Sequence, residues 1–544
     1  MSVKTNATPS MKQTGEKLSS AYQKLSANYL KKADESAKFN IVLVGIIVLA
    51  AAAYLSLAYN WPKFSRAEVF FAECVREMFQ ADNLITPLYH GTPFFDKPIL
   101  AYWFIALTYK IAGISHFTAR IPSVIAALGT VAITAFAGRS LYGARAGTLA
   151  AAVLASSLMF ISFANLCMSD MNLVFFDTVS LGLLFASLQN EKRRSILLYF
   201  AALSMGMAFI TKGPVGIVLP SISFAAFLSI TKQWKKIELV KHVIPCAIIL
   251  AGAGVPWFMA AFRQNGAGAL SYFFIHENLE RFTGSTYDTH RPIWFMVVSF
   301  LSGMLPWSLF IPFALKDSIA VMKKGWDNIQ ASGQLYCWLW IAVLLGFFSF
   351  SRGKIDYYAL PVYPAAAIII GNYLSNACDN KNKVASILGW VSSSVIFVAG
   401  IASLFILPGM FGSESVSSYF GIPAVLLSCG LAMLYCSFKA DFRKTYKLLF
   451  VSICLASVAF SFEIYPWISS KQAVLKYIPY IRNLPADARV GVYTSLQNWI
   501  DEITFQTNTE PMKIESPKMA EQFLKATCPS VLLIQENEYN QMSE

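Results

Sequence analysis

The chain has 544 residues, of which 56% are apolar and only 14% charged, and its mean hydropathy is +0.50. That composition excludes a soluble globular domain and a disordered chain, and it defines a polytopic membrane protein. The net charge of +13 could suggest nucleic acid, but the basic residues fall in short loops between apolar runs, so no nucleic-acid partner is expected. Nine cysteines show no metal-ligand spacing. Cys167, Cys246, Cys337, Cys429, Cys436 and Cys454 lie in or beside apolar runs, as buried small hydrophobes do.

Residues 1–38 carry seven lysines against three acids and read as a polar cytoplasmic tail. The run from Phe39 to Tyr59 is too long for the core of a signal peptide and lacks a small-residue cleavage site, which makes it a signal anchor. Further apolar runs at 121–138, 146–168, 172–189, 195–211, 214–231, 242–262, 292–315, 334–350, 357–375, 384–407, 420–438 and 446–468 bring the expected spans to thirteen. The segment 99–114 is apolar too, but it has 16 residues and contains Lys110. Keeping it in the interface puts the basic loops at Arg139–Arg145, Lys192–Arg194, Lys232–Lys236, Lys316–Lys324, Lys381–Lys383 and Arg443–Lys447 on the cytoplasmic side, as the positive-inside rule requires. Counting it as a span would reverse every one of them.

The expected fold is therefore all-α, with a transmembrane part at 39–468 and a structured first periplasmic loop at 60–120 containing interfacial helices. A small periplasmic α/β domain is expected at 469–544, where ARVGVYTS (488–495) and PSVLLIQEN (529–537) read as strands. In the first loop, Val69, Ala72, Val75 and Phe79 recur at helical spacing while Glu73, Arg76, Glu77 and Gln80 fall elsewhere. That pattern suits a helix lying in the membrane interface.

Several polar clusters face the same outer side. Asp96 and Lys97 stand next to each other between Pro93 and Pro98. Asp170 sits in CMSDMN at a membrane boundary, where a carboxylate is costly unless paired or functional. The loop at 263–291 supplies His276, Glu277, Arg281, Asp288, His290 and Arg291, and SRGKIDYY at 351–358 adds Arg352, Lys354, Asp356, Tyr357 and Tyr358. Carboxylates mixed with Lys and Arg at headgroup level suit a lipid-linked phosphate substrate. The cations would bind the phosphate, and a carboxylate would deprotonate or polarise the attacking group. Each charge taken singly is as often a plain interface anchor.

The stretches AEVFFAECVREM, ITPLYHGTPFFDKPILAYW and FTARIPSVIAAL resemble the first outer loop of the bacterial lipid-linked glycosyltransferases, in particular the lipid A aminoarabinose transferases and the related protein O-mannosyltransferases. TKGPVG (211–216), FFIHENLERF (273–282), HRPIWF with GMLPW (290–307) and SRGKIDYYALPVYP (351–364) resemble further blocks, in order, over roughly residues 60–365. The resemblance implies the type C glycosyltransferase fold and a polyprenyl-phosphate (undecaprenyl phosphate) sugar donor used outside the cytoplasm. It implies that Lys97 contacts the donor phosphate, with Arg281, Lys354, Arg352 and Tyr358 as further candidate ligands, and that Asp170 is the second-loop carboxylate. Where relatives carry Asp-Glu at the start of the first-loop helix this chain has Ala67-Glu68, and where they carry Glu-Lys it has Asp96-Lys97. Candidate catalytic residues are thus Asp170, Glu68 and Lys97. Asp96 and His276 could hold a divalent metal, although two ligands are a thin set; no other cofactor is expected.

The expected activity moves one sugar from polyprenyl phosphate to an acceptor at the periplasmic face of a bacterial inner membrane. A lipid A or glycolipid acceptor is favoured, because a phosphate acceptor needs no strong general base and Ala67 removes one acid. A protein hydroxyl is the alternative acceptor. From a different class, a transporter or non-catalytic binder of lipid-linked sugar would show internal repeats and mid-span polar residues; here the ionisable residues gather in the outer loops.

Overall fold

The computed structural model describes residues 9–61, 63–284, 291–380, 382–411, 419–493, 496, 498–525 and 527–543, with the side chains of 9–33, 239, 269, 281, 379, 498 and 541–543 outside that description. Helix α1 runs Pro9–Asn60, so helix begins well inside the stretch read as a tail, and its apolar part is Asp34–Asn60. The first outer loop holds α2 (Arg66–Gln80), a ribbon of β1 (Leu88–Tyr89) and β2 (Thr92–Pro93), and α3 (Leu100–Ala112). There follow α4 (His116–Tyr142), α5 (Ala144–Ala155), α6 (Leu158–Ala164), α7 (Asp170–Gln189), α8 (Arg194–Lys212), α9 (Val215–Thr231), α10 (Trp234–Ile237) and α11 (Leu239–Ser271). The helical body is completed by α12 (Arg281–Thr283), α13 (Phe295–Gly303), α14 (Ile311–Met322), α15 (Ile329–Phe350), α16 (Tyr363–Asp379), α17 (Lys383–Phe411), α18 (Gly421–Phe438) and α19 (Phe442–Lys471).

Among the described residues nine helices are long and apolar enough to cross a bilayer, or eleven if each of two bent pairs is one span. The other two expected runs are α9 and α16, of 17 residues each. Helix α3 has 13 residues, a rise of about 20 Å against a hydrocarbon core of about 30 Å. It packs on α2 and α4.

Two runs read as straight spans are broken. The 146–168 run bends by 66° between α5 and α6, and the 292–315 run by 108° between α13 and Trp307. At the first break the hydroxyls of Ser156 and Ser157 donate back to the carbonyls of Ala152 and Val153, at 2.6 and 2.7 Å, which bends helices. At the second, Pro306 has no N–H with which to continue the ladder. The breaks meet: Trp307 Nε1 donates to Ser156 Oγ at 3.0 Å and the Leu158 amide to the Leu305 carbonyl at 3.2 Å. Each break therefore supplies polar partners to the other inside an apolar body.

Helix α2 also differs from its expected form. Its apolar spacing suggested a half-solvated interfacial helix, yet ten of its 15 residues are buried, including Glu68, Glu73, Arg76 and Glu77. The cause lies at the other end of the chain. After α19 come α20 (Ala473–Arg482), β3 (Arg489–Tyr493), α21 (Asn498–Thr507), β4 (Met512–Ile514), α22 (Pro517–Leu524), β5 (Ser530–Leu533) and α23 (Glu536–Ser543), the strands forming a parallel sheet in the order β4-β3-β5. Helix α21 and the residue after it cover the polar side of the first loop. Arg76 and Gln80 donate to Asn508, Tyr89 donates to Asp501 at 2.6 Å, His116 Nε2 lies 2.8 Å from Glu502, and the Phe505 ring stands 4.8 Å from Phe64.

His90 joins this contact, with Nε2 3.2 Å from Asp501 and Nδ1 3.2 Å from Glu510. The hydrogen bond to Asp501, helped by Glu510 and opposed by partial burial, pushes its pKa up to about 9. A folded-state value above the ordinary 6.5 contributes stability that is complete below about 6.5 and is lost as pH rises through about 9. Hydrogen exchange of α21, corrected for its intrinsic pH dependence, should therefore lose protection as pH rises past 9. His90→Gln should flatten that profile, and an unchanged profile in the variant would remove His90 from the contact.

Candidate active site at the junction of two cavities

Two cavities of about 330 Å³ each share Asp96, Lys97, Lys212 and Tyr358 as walls. One is an apolar groove lined by Val215, Phe273, Phe274, Leu279, Phe347 and Phe348. The other is a more polar chamber lined by Arg66, Ala67, Ser169, Asp170, Tyr272 and Tyr357. Two lysines thus stand where a greasy groove meets a polar space.

Each lysine is held by the chain's own carboxylates. Lys97 Nζ lies 2.9 Å from Asp96 Oδ1 and 3.5 Å from Glu277 Oε2, and Glu277 is buried. Glu277 comes from the π-helical stretch Tyr272–Glu280, a geometry that recurs at functional sites because it re-aims side chains. Lys212, the last residue of α8, pairs with Asp170, the first residue of α7. Its ammonium also lies 4.9 Å from the centre of the Tyr358 ring and 5.5 Å from that of Tyr357, favourable cation–π placements. Gly213 ends α8 at φ +88°, and a Cβ there would come within 2.7 Å of Phe273. Only glycine lets the chain turn there beside the groove wall. The buried hydroxyl of Ser169 lines the chamber and has no partner in the chain, the condition of a group awaiting a ligand.

The structure thus brings together Asp96, Lys97, Asp170 and Tyr358 of the sequence candidates. It adds Lys212 and Glu277, which sequence reasoning had not assigned to the site. The signal for Lys212 was present in TKGPVG, a lysine closing an apolar run directly before Gly-Pro. Arg352 is exposed and Lys354 is buried beside the site, but that segment contributes Ser351, Gly353, Tyr357 and Tyr358 to the two linings. The side chain of Arg281, and Asp288 and His290 altogether, lie outside the described residues. His276 Nδ1 is 2.8 Å from Glu280, Asp96 pairs with Lys97, and no group of three or more His, Cys, Asp or Glu suited to a metal occurs among the described residues.

Glu68 and Ala67 part company. Ala67 lines the chamber, at the position where the resemblance puts an aspartate. Glu68 is fully buried and accepts from Arg120 Nε at 2.8 Å, the Cys167 amide at 3.0 Å and the Ser65 amide at 2.9 Å. Burial alone would push its carboxyl up, but Arg120 and the two amides outweigh it and hold the group below the usual carboxylate range. Arg120, itself fully buried, also donates to the carbonyls of Ala58, Trp61 and Lys63. The pair ties the end of α1, the start of α2 and the α6–α7 turn together behind the chamber. The expectation that Glu68 opens a solvated helix missed this partner.

Comparison with known proteins places this geometry. A family profile described as dolichyl-phosphate-mannose-protein mannosyltransferase matches residues 96–259. The undecaprenyl phosphate-alpha-4-amino-4-deoxy-L-arabinose arabinosyl transferase of Pseudomonas aeruginosa is 29% identical over 324 residues, 58% of this chain and 57% of that protein. The Yersinia enterocolitica protein of the same name is 28% identical over 373 residues, covering 66% of this chain and 65% of its own length. The matches to these relatives thus span somewhat over half of their length. Among solved structures, ArnT from Cupriavidus metallidurans bound to undecaprenyl phosphate superposes with a TM-score of 0.71 at 19% identity, covering 93% of this chain and 94% of that one. The archaeal oligosaccharyltransferase AglB from Archaeoglobus fulgidus gives 0.53 at 13% identity, over 88% and 64%. The fold is the multi-pass membrane architecture of the type C glycosyltransferases. Within that class, the chain belongs to the lipid-linked glycosyltransferase family that includes the aminoarabinose transferases.

Proposed function

We propose that this protein transfers a sugar from a polyprenyl-phosphate donor to a lipid A or other glycolipid acceptor at the outer face of a bacterial inner membrane. The observation that carries this reading is the pair Lys97 and Lys212, set where the apolar groove opens into the chamber. The groove suits a polyprenyl chain, the lysines its phosphate, and the chamber the sugar and the attacking group. The relatives named for an undecaprenyl-phosphate sugar support the donor class.

In the reaction an acceptor oxygen bonds to the anomeric carbon as the bond from that carbon to the donor phosphate oxygen breaks. The electron pair leaves with the phosphate, so negative charge grows next to Lys97 and Lys212. Cations held in place by Asp96, Glu277 and Asp170 meet that charge without reorganising. An anionic phosphate acceptor brings no proton to be removed. A neutral hydroxyl does, and the chamber then offers Asp170 but no carboxylate at Ala67. That difference favours a lipid A phosphate over a protein hydroxyl, and Arg66 at the chamber wall suits its charge.

Mass spectrometry of lipid A from cells with and without the gene tests the assignment. Loss of a sugar adduct on a lipid A phosphate is expected. Unchanged lipid A together with loss of a sugar from envelope proteins would move the acceptor to protein.

A further inference from the structure

A further cavity, of about 600 Å³, lies between α1, α6, α17, α18 and α19 and shares no lining residue with the apolar groove at Lys97. Its sides are apolar, among them Leu57, Ile161, Ile396, Leu426 and Ile453. Leu158 and Phe460 at its edge are 57% and 39% exposed, so it opens sideways among helices that cross the bilayer. Its polar end is formed by Ser65, Glu68 and Asn165.

Two short segments form the partition between this cavity and the chamber, and their residues alternate between the two spaces. Ser65 and Glu68 line the cavity while Arg66 and Ala67 line the chamber. Asn165 and Leu166 line the cavity while Met168, Ser169 and Asp170 line the chamber. The hydrogen bond from the Cys167 amide to Glu68 Oε1, at 3.0 Å, joins the two segments. A single thickness of chain therefore separates an apolar, membrane-facing cavity from the place where transfer would occur.

We propose that this cavity seats an acyl chain of the acceptor lipid, so that donor and acceptor chains occupy separate grooves and their headgroups meet in the chamber at Ala67. The inference rests on the transferase reading with a lipid acceptor. Its chemistry fits an acylated sugar phosphate: an apolar slot for the chain, hydrogen-bonding groups at Ser65 and Asn165 for the ester or amide linkages, and Arg66 around the partition for the phosphate. Separate grooves let both lipids be bound at once, which a direct transfer between them requires. On this view the Glu68–Arg120 pair is a positioning element that keeps the partition closed, so that the acceptor headgroup reaches the chamber around it.

The test uses the purified full-length protein in nanodiscs and a lipid A analogue carrying a photoactivatable diazirine on an acyl chain. Labelling is expected on α19 around Ile453–Phe460. Unlabelled lipid A should suppress it, whereas undecaprenyl phosphate and phosphatidylethanolamine at the same concentration should not. Ala456→Phe and Ser457→Leu each fill part of the slot and should cut labelling roughly tenfold, the worth of about two excluded methylenes. Thermal melting identifies which of the two remains folded. Suppression by undecaprenyl phosphate would make the slot a donor groove, and equal suppression by phosphatidylethanolamine would make it a bilayer-lipid site; either overturns the proposal, as does absence of labelling. Because the readout is binding, labelling without any transfer would refute the transferase reading and keep the site, and transfer to lipid A without labelling would do the reverse.

Discussion

Lys97→Ala is expected to lower sugar transfer by roughly ten- to a hundredfold while leaving expression and thermal stability near those of the parent. Charge-assisted hydrogen bonds of this kind are worth about 1.5–3 kcal/mol, and each 1.4 kcal/mol is about tenfold in rate. The ammonium is held by Asp96 and Glu277 at the mouth of the groove, where the leaving phosphate would gather charge. Lys97→Arg should recover part of the rate only, because the planar, forked guanidinium does not fill the place of a compact ammonium. Full activity in the alanine variant would reduce Lys97 to an interface anchor. Lys212→Ala should reduce transfer as well, with one difference. It strips Asp170 of its cation, so the loss should deepen at high pH and ease when Asp170→Asn is added.

The second large effect concerns stability. Glu68→Ala leaves the Arg120 guanidinium buried without its carboxylate, and removing one partner of a buried pair costs about 3–5 kcal/mol. Glu68→Gln keeps the shape and the hydrogen-bonding oxygen but loses the charge, and should still lower the melting temperature clearly. Asp170→Asn should do the opposite, cutting transfer while the protein remains folded. A Glu68→Gln variant that is stable and inactive would return Glu68 to the chemistry. A variant that is stable and active would show that Arg120 is satisfied by the carbonyls of Ala58, Trp61 and Lys63 alone.

These two effects mirror what the amino-acid order could and could not convey. The outer loops announced themselves because charged residues between apolar runs are costly, and Asp96, Lys97 and Asp170 could be picked out on that ground. Lys212 could not, because its sequence neighbours are apolar and its meaning depends on α8 ending opposite the start of α7. Glu68 was misjudged for a related reason: its partner Arg120 is 52 residues away, and helical spacing within α2 carries no trace of it. The same spacing suggested a solvated face, because nothing local signals that α21 will cover it from more than 400 residues further along the chain. The broken spans escaped notice since hydropathy sums over a window, whereas Ser156, Ser157 and Pro306 act one residue at a time. Ala67 was legible only through resemblance; the structure gives it physical content by placing it on the chamber wall.

Release of polyprenyl phosphate is the most direct measure of the central claim. The purified protein, reconstituted with undecaprenyl-phosphate-linked aminoarabinose and lipid A, should release undecaprenyl phosphate in step with the appearance of glycosylated lipid A, and Lys97→Ala should suppress both together. Tight binding of the donor with no release, in the presence of lipid A or of acceptor protein, would contradict the account and leave a binder or carrier of lipid-linked sugar in its place.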